Sequence, residues 1–163
     1  MMITELPVGL PGRAFRSPMP YGDYDPDENV FTEYIRSKVT CVVLLTSDEE
    51  CIRNTGINLR ELYTKTGMSV IYLPIQDFGV PDESELRNSI ERAVQILRNG
   101  HNLAIHCSAG IGRTGTFAAC LFKRTWGITG EQSIEWIRQL VPGAVETEEQ
   151  EHLVLDYEVK EVA

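Results

Sequence analysis

Apolar positions along this chain follow two rhythms. Val39 to Thr46 is a near-continuous apolar, β-branched run, the pattern of a strand covered on both faces. Ser69 to Leu73 repeats it as a second buried strand, and Leu103 to Ile105 repeats it again, with His106 and Cys107 closing the strand. Between these last two, Leu86, Ile90, Ala93, Val94 and Leu97 recur at helical spacing, predicting a helix over Glu83 to Asn99 that stops at Gly100. Asp82-x-x-Glu85 fits its opening cap. Further helices are predicted over Asp27 to Lys38, with Phe31, Tyr34 and Ile35 on one face, and over Asn58 to Thr66. Phe117 to Phe122 is almost wholly apolar, as in a helix buried on most sides. Thr129-x-x-Gln132 opens another helix with Ile134, Ile137 and Val141 inward, ended by Pro142-Gly143.

Strand, helix and strand at these distances imply a right-handed crossover, hence an α/β fold with a mainly parallel central sheet flanked by helices. Ligands bind beyond the carboxyl ends of such strands. Cys107 and the loop Pro74 to Pro81 both fall at that edge.

At 163 residues the chain suits one domain with a sizeable core. Residues 1–26 are rich in Gly and Pro and read as an irregular leader of that domain, with 27–163 its main body. Arg13 to Arg16 is a candidate edge strand. Its two arginines read as solvated side chains or, alternatively, as contacts for an acidic substrate segment. A net charge of -9 argues against non-specific binding to nucleic acid or an anionic membrane. No secretory leader is expected, and the longest apolar run, Cys41 to Leu45, is too short to span a bilayer. Cysteines 41, 51, 107 and 120 show no metal-ligand or disulfide-framework spacing. No metal or cofactor is expected, and a reducing cytoplasm is the simplest location for a working thiol.

The chemistry concentrates in Asn102 to Thr116, NLAIHCSAGIGRTGT. A strand, a glycine-bearing loop (Ser108, Ala109, Gly110, Ile111, Gly112) and a helix start make an anion site, because backbone N–H groups converge there. The loop carries a thiol at its entrance, Cys107, and a guanidinium at its exit, Arg113. A helix N-terminus and a nearby cation can lower a thiol's pKa from ~8.5 to ~3.5–7.5, which makes a thiolate nucleophile. Arg113 offers a planar fork that lysine cannot reproduce. The plainer alternative is a buried cysteine before an ordinary strand–helix turn.

His106 to Thr114, HCSAGIGRT, resembles the signature of the cysteine-dependent protein tyrosine phosphatase family: His-Cys, five residues, Arg, then Ser or Thr. The resemblance runs from Val39 to about Tyr157. It implies Cys107 as nucleophile, Arg113 and the loop amides as phosphate ligands, and Thr114 as a hydroxyl for the departing sulfur. It also implies His106 as a residue that orients the loop, although a plain strand-end histidine fits too. Asp77-Phe78-Gly79-Val80-Pro81 resembles the family's general-acid loop, with Ile75-Gln76 where phosphotyrosine-specific members have Trp-Pro. Asp77 is then the acid for the leaving group and the base for water; otherwise it is a turn aspartate or a cap. Pro142 to Gln150 is similar to the loop that positions the hydrolytic water. Gln150 matches its second glutamine and Glu146 replaces the first, while Thr147-x-x-Gln150 fits a capping box equally well.

The expectation is a monomeric phosphatase acting on phosphorylated proteins or peptides, phosphotyrosine first with phosphoserine and phosphothreonine as further substrates, and inhibited by phosphate and other oxyanions. Its size resembles compact dual-specificity members. Absence of lysine at Ser108, Ala109, Ile111 and Gly112 weighs against phosphoinositides. A phosphoinositide or inositol phosphatase, a silent phosphopeptide-binding module and a redox or arsenate-handling protein are the alternatives.

Overall fold

The computed structural model describes residues 2–160, so the outermost residues of the expected domain lie outside it. Strand β5 (Asn102–His106) forms at the centre of a five-stranded sheet, which explains why Leu103, Ala104 and Ile105 are all apolar and fully buried. With β1 (Thr4–Leu6), β2 (Ala14–Ser17), β3 (Val39–Leu44) and β4 (Ser69–Tyr72), the order is β1-β2-β5-β3-β4. Only β1 runs antiparallel; the other pairs are parallel.

Alternate side chains feed two cores, as the period of a strand requires. Leu103 and Ile105 join one side with α4 (Glu83–Arg98), α5 (Gly112–Trp126), α6 (Gly130–Leu140) and α7 (Glu148–Asp156). Ala104 joins the other, with α1 (Val30–Arg36), α2 (Asp48–Thr55) and α3 (Leu59–Lys65). Helix α5 is buried from Gly112 to Lys123, more completely than its apolar run alone implies.

Four expectations need correction. The leader is not irregular throughout, since it supplies β1 and β2. The Arg13–Arg16 segment is no edge: β2 lies between β1 and β5, and β1 caps the sheet. The second buried strand is instead the opposite edge, with Ser69 exposed and only Ile71 fully buried in it. In α1, Ile35 points outward, 49% exposed, while Val30 and Tyr34 are buried. Helix α2 is an addition that periodicity did not predict.

A buried lysine ties the last helix down. Lys123 Nζ donates to the carbonyls of Val154 at 2.8 Å and Tyr157 at 2.7 Å, at the carboxyl end of α7 where a cation is favoured. Lys123→Met keeps the stem and removes the donor. It is expected to cost about 3 kcal/mol in urea unfolding, because charged hydrogen bonds are lost and buried carbonyls are stranded.

Candidate active site

Cys107 follows directly on β5 at the carboxyl edge of the sheet, 3% exposed, and Arg113 is the second residue of α5, 2% exposed. Between them Ser108 to Ile111 form the loop, with Gly110 at φ +79, where a side chain would be strained. Thiol and guanidinium face a cavity of about 100 Å³ that also reaches Asp77, Glu146 and Gln150. A single water needs only ~10–15 Å³ of such space, so the cavity has room for a small tetrahedral oxyanion.

Arg113 is held from behind. Nη1 and Nη2 donate to the two carboxylate oxygens of Glu50 at 2.9 and 2.8 Å, and Nη1 donates to the Ile75 carbonyl at 2.9 Å. A two-pronged contact of this kind fixes the plane of the guanidinium. Sequence reasoning missed Glu50. It lies in the first turn of α2, which begins with Ser47 accepting from the Glu50 amide and ends at Gly56 in the left-handed region. The signal was present as Ser47-x-x-Glu50, a capping pattern before a helix with only Cys51 buried.

Asp77 lies 3.3 Å from Arg113 Nη2 and is largely exposed, so its carboxyl stands at the rim. The following Phe78 adopts φ +64 and is 59% exposed; Tyr24, 54% exposed, lines the same mouth. Ile75, where phosphotyrosine-specific members carry Trp, is buried and anchors the base of this loop. Asp82 instead caps α4, accepting from the Glu85 amide at 3.1 Å.

Gln150 does two things at once. Its Oε1 accepts from the amides of Glu146 at 2.9 Å and Thr147 at 3.3 Å, completing the α7 capping box. Its Nε2 donates to the Gly79 carbonyl at 3.1 Å, tying α7 to the Asp77 loop. Glu146 lies over the loop: a Cβ on Gly112 would meet its Oε1 at 2.5 Å. Thr114 is 1% exposed, and its Oγ1 has no hydrogen-bond partner among the described residues.

His106 is fully buried between Cys107 and Tyr63. The Cys107 carbonyl can only accept, so Nδ1 carries the proton and donates to it at 3.0 Å, and a neutral ring then takes the Tyr63 hydroxyl hydrogen at Nε2, 2.7 Å away. Burial pushes its pKa down to about 4, with the Arg113 charge adding to the fall and the Cys107 carbonyl opposing it. An unfolded histidine binds its proton near ~6.5. Between these values the unfolded chain holds more protons, so stability falls as pH drops through the window, by on the order of 3 kcal/mol. His106→Asn should flatten that part of the pH–stability curve in urea unfolding; an unchanged slope would contradict the assignment.

The remaining thiols are unsuited to the chemistry. Burial pushes Cys120 up to about 12 and raises Cys41 and Cys51 as well. Arg13 pairs with Glu5 at the surface, but Arg16 is not a solvated arginine. It donates to the carbonyls of Ala109 and Gly110 from the outer side of the loop.

Comparison with known proteins places this geometry among relatives. The family model described as "Tc-R-P: Polymorphic toxin system, DSP-PTPase phosphatase" matches residues 20–126. The tyrosine-protein phosphatase CDC14 of Saccharomyces cerevisiae is 28% identical over 130 residues, 80% of this chain and 22% of its own length. The tyrosine-protein phosphatase cdc-14 of Caenorhabditis elegans is 30% identical over 135 residues, 82% of this chain and 17% of its own. This chain therefore spans less than a quarter of the length of either of these two relatives. Among solved structures, kinase associated phosphatase with its catalytic-site cysteine replaced by serine superposes with a TM-score of 0.81 at 25% identity, covering 93% of this chain and 90% of that one. Tk-PTP in its active form gives 0.74 at 28% identity, with 93% of each chain covered.

Proposed function

From the premise that the chain belongs to the cysteine-dependent protein tyrosine phosphatase family, we propose that it hydrolyses phosphate esters on proteins, phosphotyrosine first, through a phosphocysteine. The observation that carries this is the thiol of Cys107 and the pinned fork of Arg113 facing one oxyanion-sized cavity across a glycine-bearing loop.

In the first step the Cys107 thiolate attacks phosphorus; the S–P bond forms as the ester P–O bond breaks. Arg113 and the loop amides of Ser108 to Gly112 take the charge on the phosphoryl oxygens without reorganising. The Asp77 carboxyl gives its proton to the departing phenoxide or alkoxide, worth typically ~10²–10⁴ in rate. In the second step water attacks, its proton passes to Asp77, and the S–P bond breaks to release inorganic phosphate. The unpartnered Thr114 hydroxyl supports its role as donor to the departing sulfur. Gln150 keeps a second Nε2 hydrogen for the hydrolytic water beyond the one given to Gly79. His106 holds the Cys107 carbonyl and so orients the loop.

Phosphotyrosine is favoured over shorter esters because the cavity admits the phosphoryl group while Tyr24 and Phe78 offer aromatic faces at its mouth. The loop has no lysine for the extra phosphates of a phosphoinositide. The protein works as a monomer, is inhibited by phosphate and other oxyanions, uses no cofactor, and acts in the reducing cytoplasm, where Cys107 stays a thiol. No helix among the described residues is long and apolar enough to cross a membrane. Phosphate release from a panel of phosphotyrosine, phosphoserine and phosphothreonine peptides and phosphoinositides tests the reading. Fastest turnover of the tyrosine peptides is expected; turnover of phosphoinositides alone, or of nothing, contradicts it.

Glu146 sets a negative charge beside the phosphate where the family resemblance implies glutamine, so it changes water placement. Glu146→Gln is expected to change the rate after the burst severalfold, while the burst itself stays the same. Unchanged dephosphorylation removes the idea.

A further inference from the structure

Arg16 is a half-buried cation that the reaction scheme leaves unused. It lies on β2 beside Ile105 of β5, one residue before Ser17 pairs with His106, so its side chain emerges beneath the phosphate loop. Nε donates to the Gly110 carbonyl at 3.1 Å, and Nη2 donates to the carbonyls of Gly110 at 2.8 Å and Ala109 at 3.1 Å. The Met19 amide donates to the Ser108 carbonyl at 2.8 Å. Three consecutive loop carbonyls are thus engaged by one N-terminal segment.

The peptide bonds are trans, and a trans peptide sends its N–H opposite to its C=O. Drawing the carbonyls of Ser108, Ala109 and Gly110 toward β2 therefore turns the amides of Ala109, Gly110 and Ile111 the other way, toward the cavity. Among the described residues, those three amides donate to no protein acceptor. The fit also explains Gly110: a Cβ there would stand 2.3 Å from Arg16 Nη2 and 2.2 Å from the Ser17 carbonyl.

We infer that Arg16 is a positioning residue of the phosphate loop, whose fork holds the Ala109 and Gly110 carbonyls from behind and so keeps the Gly110 and Ile111 amides aimed at the oxyanion. Its charge acts in the same direction. Burial disfavours the Arg16 cation, and a negative charge at Cys107 favours it. A lysine would keep that charge but could not span two carbonyls in one plane. The inference rests on the phosphatase reading.

Inorganic vanadate inhibition, p-nitrophenyl phosphate kinetics and the ultraviolet absorbance of the Cys107 thiolate against pH test it in wild type, Arg16→Met and Arg16→Lys, with circular dichroism to verify folding. Arg16→Met is expected to bind vanadate about 10–100-fold more weakly, to raise KM as well as lower kcat, and to move the thiolate titration upward. Arg16→Lys is expected to restore the thiolate titration while still binding vanadate about tenfold more weakly. Folded Arg16→Met with wild-type vanadate affinity and thiolate titration overturns the inference alone. If Arg16→Met does not fold, Arg16→Lys decides, since undiminished vanadate affinity there overturns it too. A wild-type protein that neither turns over substrate nor binds vanadate overturns the phosphatase reading and this inference with it.

Discussion

Replacing Cys107 by serine is expected to lower kcat for p-nitrophenyl phosphate by ~10⁵-fold or more, the scale on which removal of an enzyme's nucleophile acts. A thiol beside a helix N-terminus and a guanidinium is readily held as an anion, whereas a serine hydroxyl in the same place stays protonated. Histidine, the usual base for a serine nucleophile, is not placed to make up the difference. His106 faces the Cys107 carbonyl rather than its sulfur, and burial keeps the ring neutral by pushing its pKa down to about 4. The two atoms differ little in size, so the loop, Arg113 and the cavity should survive. Vanadate or phosphate binding measured by calorimetry should therefore remain while turnover disappears. Loss of binding along with turnover would show that the thiol's role is to hold the loop together.

Arg113→Lys is the second large effect, expected to lower kcat/KM by ~10³-fold, about 4 kcal/mol of transition-state stabilisation. The guanidinium has work on two sides. One edge is fixed by both oxygens of Glu50 and by the Ile75 carbonyl, which sets the plane in which the remaining N–H groups can meet two phosphoryl oxygens. An ammonium can satisfy Glu50 or the phosphate but cannot present a flat pair of donors to each. Glu50→Gln keeps the shape and one acceptor oxygen, so a smaller loss, about 10–100-fold, is expected there. Steady-state kinetics of the two variants check the ranking. A Glu50→Gln loss as large as that of Arg113→Lys would mean that the carboxylate, not the guanidinium, governs the site.

The parts of this molecule that could be read from the chain are those in which several constraints meet in a short stretch. Leu103 to Ile105 had to be strand because all three are apolar, on both faces, and they lie at the centre of the sheet. The helix Glu83–Arg98 was legible from its apolar stripe, and the caps at Thr129 and Thr147 from their reciprocal partners. What escaped was held by contacts distant in sequence. Strand β1 is three residues long and shows no period, and β2, legible as a strand at Arg13 to Arg16, lies inside the sheet because it pairs with both β1 and β5. Helix α2 buries only Cys51, so it shows no stripe, and with it Glu50 went unseen although it lies 63 residues from the arginine it fixes. Arg16 reads as a surface charge in the sequence and becomes a brace only when the sheet brings it beneath Ala109 and Gly110.

The most direct measurement is the mass of the protein quenched in acid during the first turnover of a phosphotyrosine peptide. A single phosphoryl group on the peptide containing Cys107, absent from Cys107→Ser and chased away by further incubation, is the predicted result. Turnover with no phosphoryl group on that sulfur, or with one on another side chain, would contradict the account.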